Sequence, residues 1–162
     1  VYNSSGYENP ATLELLDGIV DIYLTDFKFW NRGRAGRYAA APDYREHACR
    51  ALRVMHRQVG DLLLNPEGLA VRGLLARHLV MPEATDDTRQ IVHFLADAIS
   101  IDTYLNLMDQ YHPSGDCGNF LELQRTLTSE EYRRALDHAA EAGLHRLDQR
   151  DLALLLKRLN LL

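Results

Sequence analysis

Apolar positions along the chain alternate between short runs suited to strands and longer stretches at helical spacing, and the changes fall at Gly, Pro and capping residues. Val1-Tyr2-Asn3 reads as the end of a strand, followed by the polar turn Ser4-Ser5-Gly6. Asn9-Pro10 opens a helix through Leu13, Leu15 and Leu16 that stops at Gly18. Ile19 to Thr25 is β-branched and aromatic, too short for a second helix, and reads as a strand buried on both faces. Asn31 to Arg37 reads as a Gly/Arg-rich loop with one helical turn near Tyr38. Pro42-Asp43 starts a long helix to Val59, with Ala48, Leu52, Met55 and Val59 on one face and Gly60 as its stop.

Leu62 to Leu64 and Leu69 to Val71 flank Asn65-Pro66-Glu67-Gly68 and predict a small hairpin. Leu74 to Met81 is the next core strand, ended by Pro82, and Asp87 with Gln90 predicts a capping box for a helix to Ile99. Thr103 to Met108 is another strand, and Asp109 to Leu127 a long loop. Thr128 with Glu131 caps a helix to Gly143, and Leu152 to Leu159 forms a last amphipathic helix. The order βαβαβαβα, with one hairpin inserted, predicts an α/β fold with a parallel sheet. Three full strands and a stub are too few for a closed barrel and look like the second part of one. The expected division is residues 1–148 as barrel and 149–162 as a C-terminal helix.

Composition narrows the classes. At 162 residues, 46% hydrophobic and 25% charged, the chain is one ordinary globular domain. A net charge of −5 with scattered arginines argues against a nucleic-acid footprint. No apolar run has the length of a membrane span, and no signal peptide opens the sequence, so no membrane partner is expected. Two cysteines do not make a disulfide framework, which points to a reducing cytoplasm.

The candidate chemistry lies at strand ends. Val20, Ile22 and Leu24 share a strand face with Asp26 and Lys28, so an apolar face finishes in a carboxylate and an amine. That is either a solvated strand end or a pair of charges at the carboxyl mouth of a parallel sheet, where α/β folds bind ligands. The other strand ends are Asn3-Ser4-Ser5-Gly6, Arg77-His78-Leu79-Val80-Met81-Pro82 and Met108-Asp109-Gln110-Tyr111-His112-Pro113.

In this order and spacing, with LLDGIVDIYLTDFKFW, MHRQVGDL, RGLLARHLVMP and NLMDQYHP, the strand ends resemble the C-terminal part of radical S-adenosylmethionine (SAM) enzymes of the pyruvate formate-lyase activating enzyme type. The resemblance runs from Val1 to about Asp148. It implies a partial (β/α)6 barrel of the TIM-like kind. It also implies reductive cleavage of SAM to a 5′-deoxyadenosyl radical that abstracts hydrogen, with a glycyl radical enzyme as protein substrate and an external electron donor. The family's C-x3-C-x2-C motif for a [4Fe–4S] cluster is not in this sequence, so its ligands are expected upstream of the chain, and this stretch alone is expected to be inactive.

By the same resemblance, Asn3, Ser4 and Ser5 lie near SAM, with Asn3 in place of an acidic residue. Asp26 and Lys28 match an Asp-x-Lys near the methionine moiety and the substrate. Arg77 and His112 match an arginine and a histidine at the later strand ends. Lys28 and His112 are the catalytic candidates; Asn3, Ser4, Ser5, Asp26, Lys28, Arg77 and His112 are the cofactor-binding ones.

Other readings compete. A Schiff-base lysine needs a neutral amine, which Asp26 opposes. A hydrolase metal site from His78, His112, Asp26 and Asp109 fails on direction, since His78 faces away from Arg77, and Asp109 away from His112, which makes His78 a structural histidine. A cluster-less barrel that only binds a partner is the alternative of a different class. Cys49 reads as a small core residue, Cys117 as an exposed thiol, and Phe29-Trp30 as packing. Loss of neighbours is expected to leave a bare strand edge beside Ile22 and Leu24 and to make the chain a poor stand-alone fold.

Overall fold

The computed structural model describes residues 1–115 and 117–148. The last amphipathic helix and the 149–162 segment expected from the sequence lie outside these residues. Parallel strands β1 (Tyr2–Ser4), β2 (Ile22–Asp26), β4 (Ala70–Leu79) and β5 (Tyr104–Met108) form one sheet in the order β1-β2-β4-β5. Helices connect them: α1 (Pro10–Glu14), then α2 (Arg32–Ala39) and α3 (Tyr44–Val59), then α4 (Thr85–Ala98), with α5 (Ser129–Glu141) after β5. β3 (Leu63–Leu64) pairs antiparallel with the start of β4. Beyond β5, Leu147 bridges Leu105 in parallel sense. The protein is thus α/β with a parallel-strand sheet, as the alternation of elements predicts.

Side-chain period two divides this sheet into unlike faces. Tyr23, Thr25 and Phe27 on β2 and its continuation, Leu74, Ala76, His78 and Val80 on β4 and beyond, and Leu105 and Leu107 on β5 are buried. They pack against Leu52, Met55, Ile91 and Leu95 of α3 and α4. Ile22, Leu24 and Asp26, Leu75, Arg77 and Leu79, and Tyr104, Asn106 and Met108 are only half-buried. The expectation that β2 is buried on both faces is therefore corrected: among the described residues, helices cover one face. Of the bare edge expected beside Ile22 and Leu24, the part at Leu24 is corrected, because β1 pairs there, Asn3 opposite Leu24, while β1 itself is the outer strand of the sheet among the described residues.

Three further corrections have physical causes. The Gly/Arg-rich segment is the eight-residue helix α2, because the Asn31 side chain caps Arg34 N and the helix buries Ala35 in the core. The predicted capping box at Asp87 does not form. Helix α4 starts at Thr85, two positions earlier, and Asp87 is buried in its first turn, bonded to another loop. The hairpin predicted around Asn65-Pro66-Glu67-Gly68 forms, with Leu63 opposite Arg72 and Leu64 opposite Ala70, but its second arm is not separate from the core strand, since β4 runs from Ala70 to Leu79. Gly73 makes that run possible: at φ 118° it lets the chain pass where a Cβ would lie 2.3 Å from the Asp61 carbonyl oxygen. The Thr128–Glu131 capping box is present as expected.

Candidate functional site

At the carboxyl ends of the parallel strands, register places Asp26 of β2 opposite Arg77 of β4, and Arg77 opposite Asn106 of β5. The Arg77 guanidinium donates from Nε (2.7 Å), and its Nη2 lies 2.6 Å away, both on Oδ1 of Asp26. Its Nη2 also donates to Asn3 Oδ1 of β1 at 3.0 Å. Lys28 Nζ stands 3.5 Å from the other carboxylate oxygen, Oδ2. Two cations thus share one carboxylate, and the half-exposed Lys28 keeps donors to spare.

The backbone around this cluster is tied from behind. The buried Tyr44 hydroxyl shares its one proton between the carbonyls of Ser5 (2.7 Å) and Asp26 (3.1 Å) and accepts from Lys28 N at 2.9 Å. Burial raises its pKa well above the ordinary phenol range, so it stays a donor. Gly6 approaches so closely that a Cβ there would sit 2.3 Å from the Asp26 carbonyl oxygen. One turn further on, buried Asp87 accepts from the amides of Trp30 (3.1 Å) and Asn31 (3.2 Å) and from Arg34 Nη1 (2.8 Å). Beside it, His78 is fully buried, with Nδ1 at 2.7 Å from the Phe27 carbonyl and Nε2 at 2.9 Å from Thr88 Oγ1. Burial lowers its pKa, which suits a neutral ring. His78 is structural, as its direction on the strand implied.

A cavity of about 400 Å³ opens beside the cluster, and Asp26 and Lys28 are the charged residues of its lining. Leu79, Met81 and Met108 from the strand ends line it together with Phe29, Tyr38, Tyr111 and Phe120. Helix α2 and the segment carrying Phe120 are joined by the Tyr38 hydroxyl on Glu122 (2.5 Å). The Arg37 guanidinium lies 5.4 Å from the Tyr38 ring centroid and 5.3 Å from that of Phe120. Burial, with the hydrogen bond to Glu122, pushes the Tyr38 pKa up to about 12.

Of the sequence-predicted residues, Asn3, Asp26, Lys28 and Arg77 come together. Ser4 is spent locally: its hydroxyl donates to Glu8 (2.8 Å) and accepts from Gly6 N (2.9 Å). Ser5 contributes its carbonyl to Tyr44. His112 is exposed and is not part of the cavity wall that Asp26 and Lys28 share. Cys117 is half-buried at the wall rather than exposed, and its thiol donates to the Ser114 carbonyl at 3.0 Å. Burial raises the Cys49 thiol to about 11, in keeping with an inert core position. Phe29 and Trp30 pack, the latter against Phe27 and Phe94. Tyr44 carried no spacing signal, and Asp87 carried a misleading one in its capping-box spacing to Gln90, because their roles arise only where separate segments meet.

Among the described residues no group of three or more His, Cys, Asp or Glu is placed to hold a metal ion. Cys49 sits on α3 and Cys117 in the loop after β5, so the residues present do not fit a [4Fe–4S] cluster. No helix among the described residues is long and apolar enough to cross a membrane.

Fold and cluster together define an α/β protein with a charged, cavity-bearing mouth at the carboxyl ends of its parallel strands. The chain is 32% identical over 145 residues to an uncharacterized protein of the archaeon Methanocaldococcus jannaschii. The match takes in 89% of this chain and 38% of the relative, so the chain spans well under half of the relative's length. No family model and no solved structure matches the chain.

Proposed function

We propose that this chain supplies the C-terminal strands of a radical SAM barrel of the activating-enzyme type, and that its strand-end charges bind the amino-acid part of SAM. One observation carries the reading: Asp26 is held between Arg77 and Lys28 at the mouth of the sheet. A zwitterionic amino acid with a sulfonium needs one carboxylate for its cationic groups and a cation for its own carboxylate, set in place beforehand. Asp26 supplies the first and Lys28 the second, while Arg77 and Asn3 hold Asp26 in orientation. In this reading the cluster ligands are not among the described residues, the electrons come from an external donor, and this chain's residues bind and orient.

The test is anaerobic incubation of the protein at its natural length with iron, sulfide, dithionite and SAM. Formation of 5′-deoxyadenosine is expected. Lys28→Ala should lose most of that turnover while keeping its melting temperature and iron content, because Lys28 is half-exposed and fills no core space. Failure to form 5′-deoxyadenosine after full cluster loading refutes the radical reading and leaves a barrel that only binds. Loss of iron and soluble yield in Lys28→Ala along with turnover makes Lys28 structural.

A further inference from the structure

The cavity beside Asp26 and Lys28 has a wall whose polar groups are almost all spoken for. The Tyr38 hydroxyl is committed to Glu122, the Tyr111 hydroxyl donates to the Leu123 carbonyl at 2.8 Å, and the Cys117 thiol donates to Ser114. Phe29, Phe120, Met81 and Met108 add ring and thioether surface to the lining, which holds Ser114 as a further polar residue. A sugar or nucleobase lodged there would leave its own hydroxyls and ring nitrogens unmatched, which such a wall penalises. An apolar ring or branched chain meets polarizable sulfur and aromatic edges instead.

Charge enters the lining through Asp26 and Lys28 alone. The Asp26 carboxylate is already engaged by Arg77 through Oδ1, so the set Asp26, Arg77 and Lys28 carries one positive charge in excess. The excess resides on Lys28, a half-exposed residue of the cavity lining. A volume of about 400 Å³ has room for a ring with a short side chain.

From this we infer that the cavity is a substrate compartment for a small carboxylic acid with an apolar, preferentially aromatic, body: the ring lies among the methionines and phenylalanines, and the carboxylate meets Lys28. The inference rests on the proposed reading only in taking the strand mouth as the working site. It names the substrate class of that site, distinct from SAM and from a glycine backbone: of the three Lys28 donors, one faces Asp26, one serves the SAM carboxylate of the proposed reading and one the carboxylate of this acid.

Isothermal titration of the natural-length protein, without SAM or reductant, separates this from the radical reading. The probes are 3-phenylpropionate, its primary amide, glucose 6-phosphate and a glycine-containing tetrapeptide. The acid is expected to bind at least ten times more tightly than the amide, about 1.4 kcal/mol, and more tightly than the sugar phosphate or the peptide. Lys28→Met should bring the acid down to the level of the amide and leave the amide unchanged. Met108→Trp and, from a different strand end, Leu79→Trp should each abolish binding of both. Their melting temperatures serve as the control for folding, and the pair guards against one variant failing to fold. Equal affinity for acid and amide overturns the inference. So does tighter binding of the sugar phosphate or the peptide, retention of binding in both folded tryptophan variants, or no binding of phenylpropionate at millimolar concentration. None of these outcomes depends on whether 5′-deoxyadenosine is formed.

Discussion

Asp87 is the residue on which the loop behind Lys28 depends, and its removal gives a quantitative test of that claim. The side chain is 4% exposed and accepts the amides of Trp30 and Asn31 on Oδ2 and the Arg34 guanidinium on Oδ1. Asp87→Ala removes both carboxylate oxygens, the acceptors of three donors, and leaves a half-buried guanidinium without its carboxylate. Hydrogen bonds to a charged group contribute about 1.5–3 kcal/mol, and breaking a buried ion pair costs about 3–5 kcal/mol. These overlap rather than add, so a loss of about 3–5 kcal/mol is expected. For a domain of this size it lowers Tm by roughly 10–15 °C. Asp87→Asn keeps an oxygen for the two amides and forfeits the ion pair, so it should lose less than half as much. Urea unfolding followed by circular dichroism gives both values from the midpoint at constant slope. Hydrogen exchange at residues 28–34 should rise in Asp87→Ala before it rises elsewhere. An alanine variant within 1 kcal/mol of the wild type, or protection unchanged over residues 28–34, refutes the tether.

His78 gives a pH prediction. Its folded pKa lies below the ordinary imidazole value of 6.5 because burial disfavours the cation. Below about pH 6.5 the unfolded chain therefore binds a proton that the folded one refuses, so this part of the stability is full above pH 6.5 and falls as pH drops toward the folded pKa. Chemical denaturation between pH 5 and 8 should show the slope, and His78→Gln should flatten it; an unchanged slope in the variant sinks the assignment. Tyr44→Phe strips a donor from the Ser5 and Asp26 carbonyls and an acceptor from Lys28 N, and should cost about 1–3 kcal/mol. A loss under 0.5 kcal/mol by urea titration would show that water replaces it. Gly73→Ala meets both a left-handed φ and the Asp61 carbonyl, and should lose about 3 kcal/mol or more, or fail to fold. A thermal melt within 2 °C of the wild type would contradict it.

By itself, the sequence determined the alternation of strands and helices, and with it the parallel sheet, because period two and helical spacing are local properties of the chain. It placed Asp26 and Lys28 on one face for the same reason, and it turned His78 away from Arg77. Capping at Thr128 was legible because both partners lie within one helical turn. Asp87 and Gln90 have that same spacing, yet Asp87 serves the Trp30–Asn31 loop, more than fifty positions earlier in the chain. Helix α2, with Gly33 and Gly36 inside it, has poor propensity and forms through burial of Ala35 and the bond from Asn31. The partial exposure of Ile22, Leu24 and Asp26 was hidden as well, since an apolar strand reads alike whether layers cover one face or two. The cavity was least visible of all: its lining comes from β4, β5 and their ends and from the loop after β2. The rest of it comes from α2 and residues 111–123, and no local rule brings those segments together.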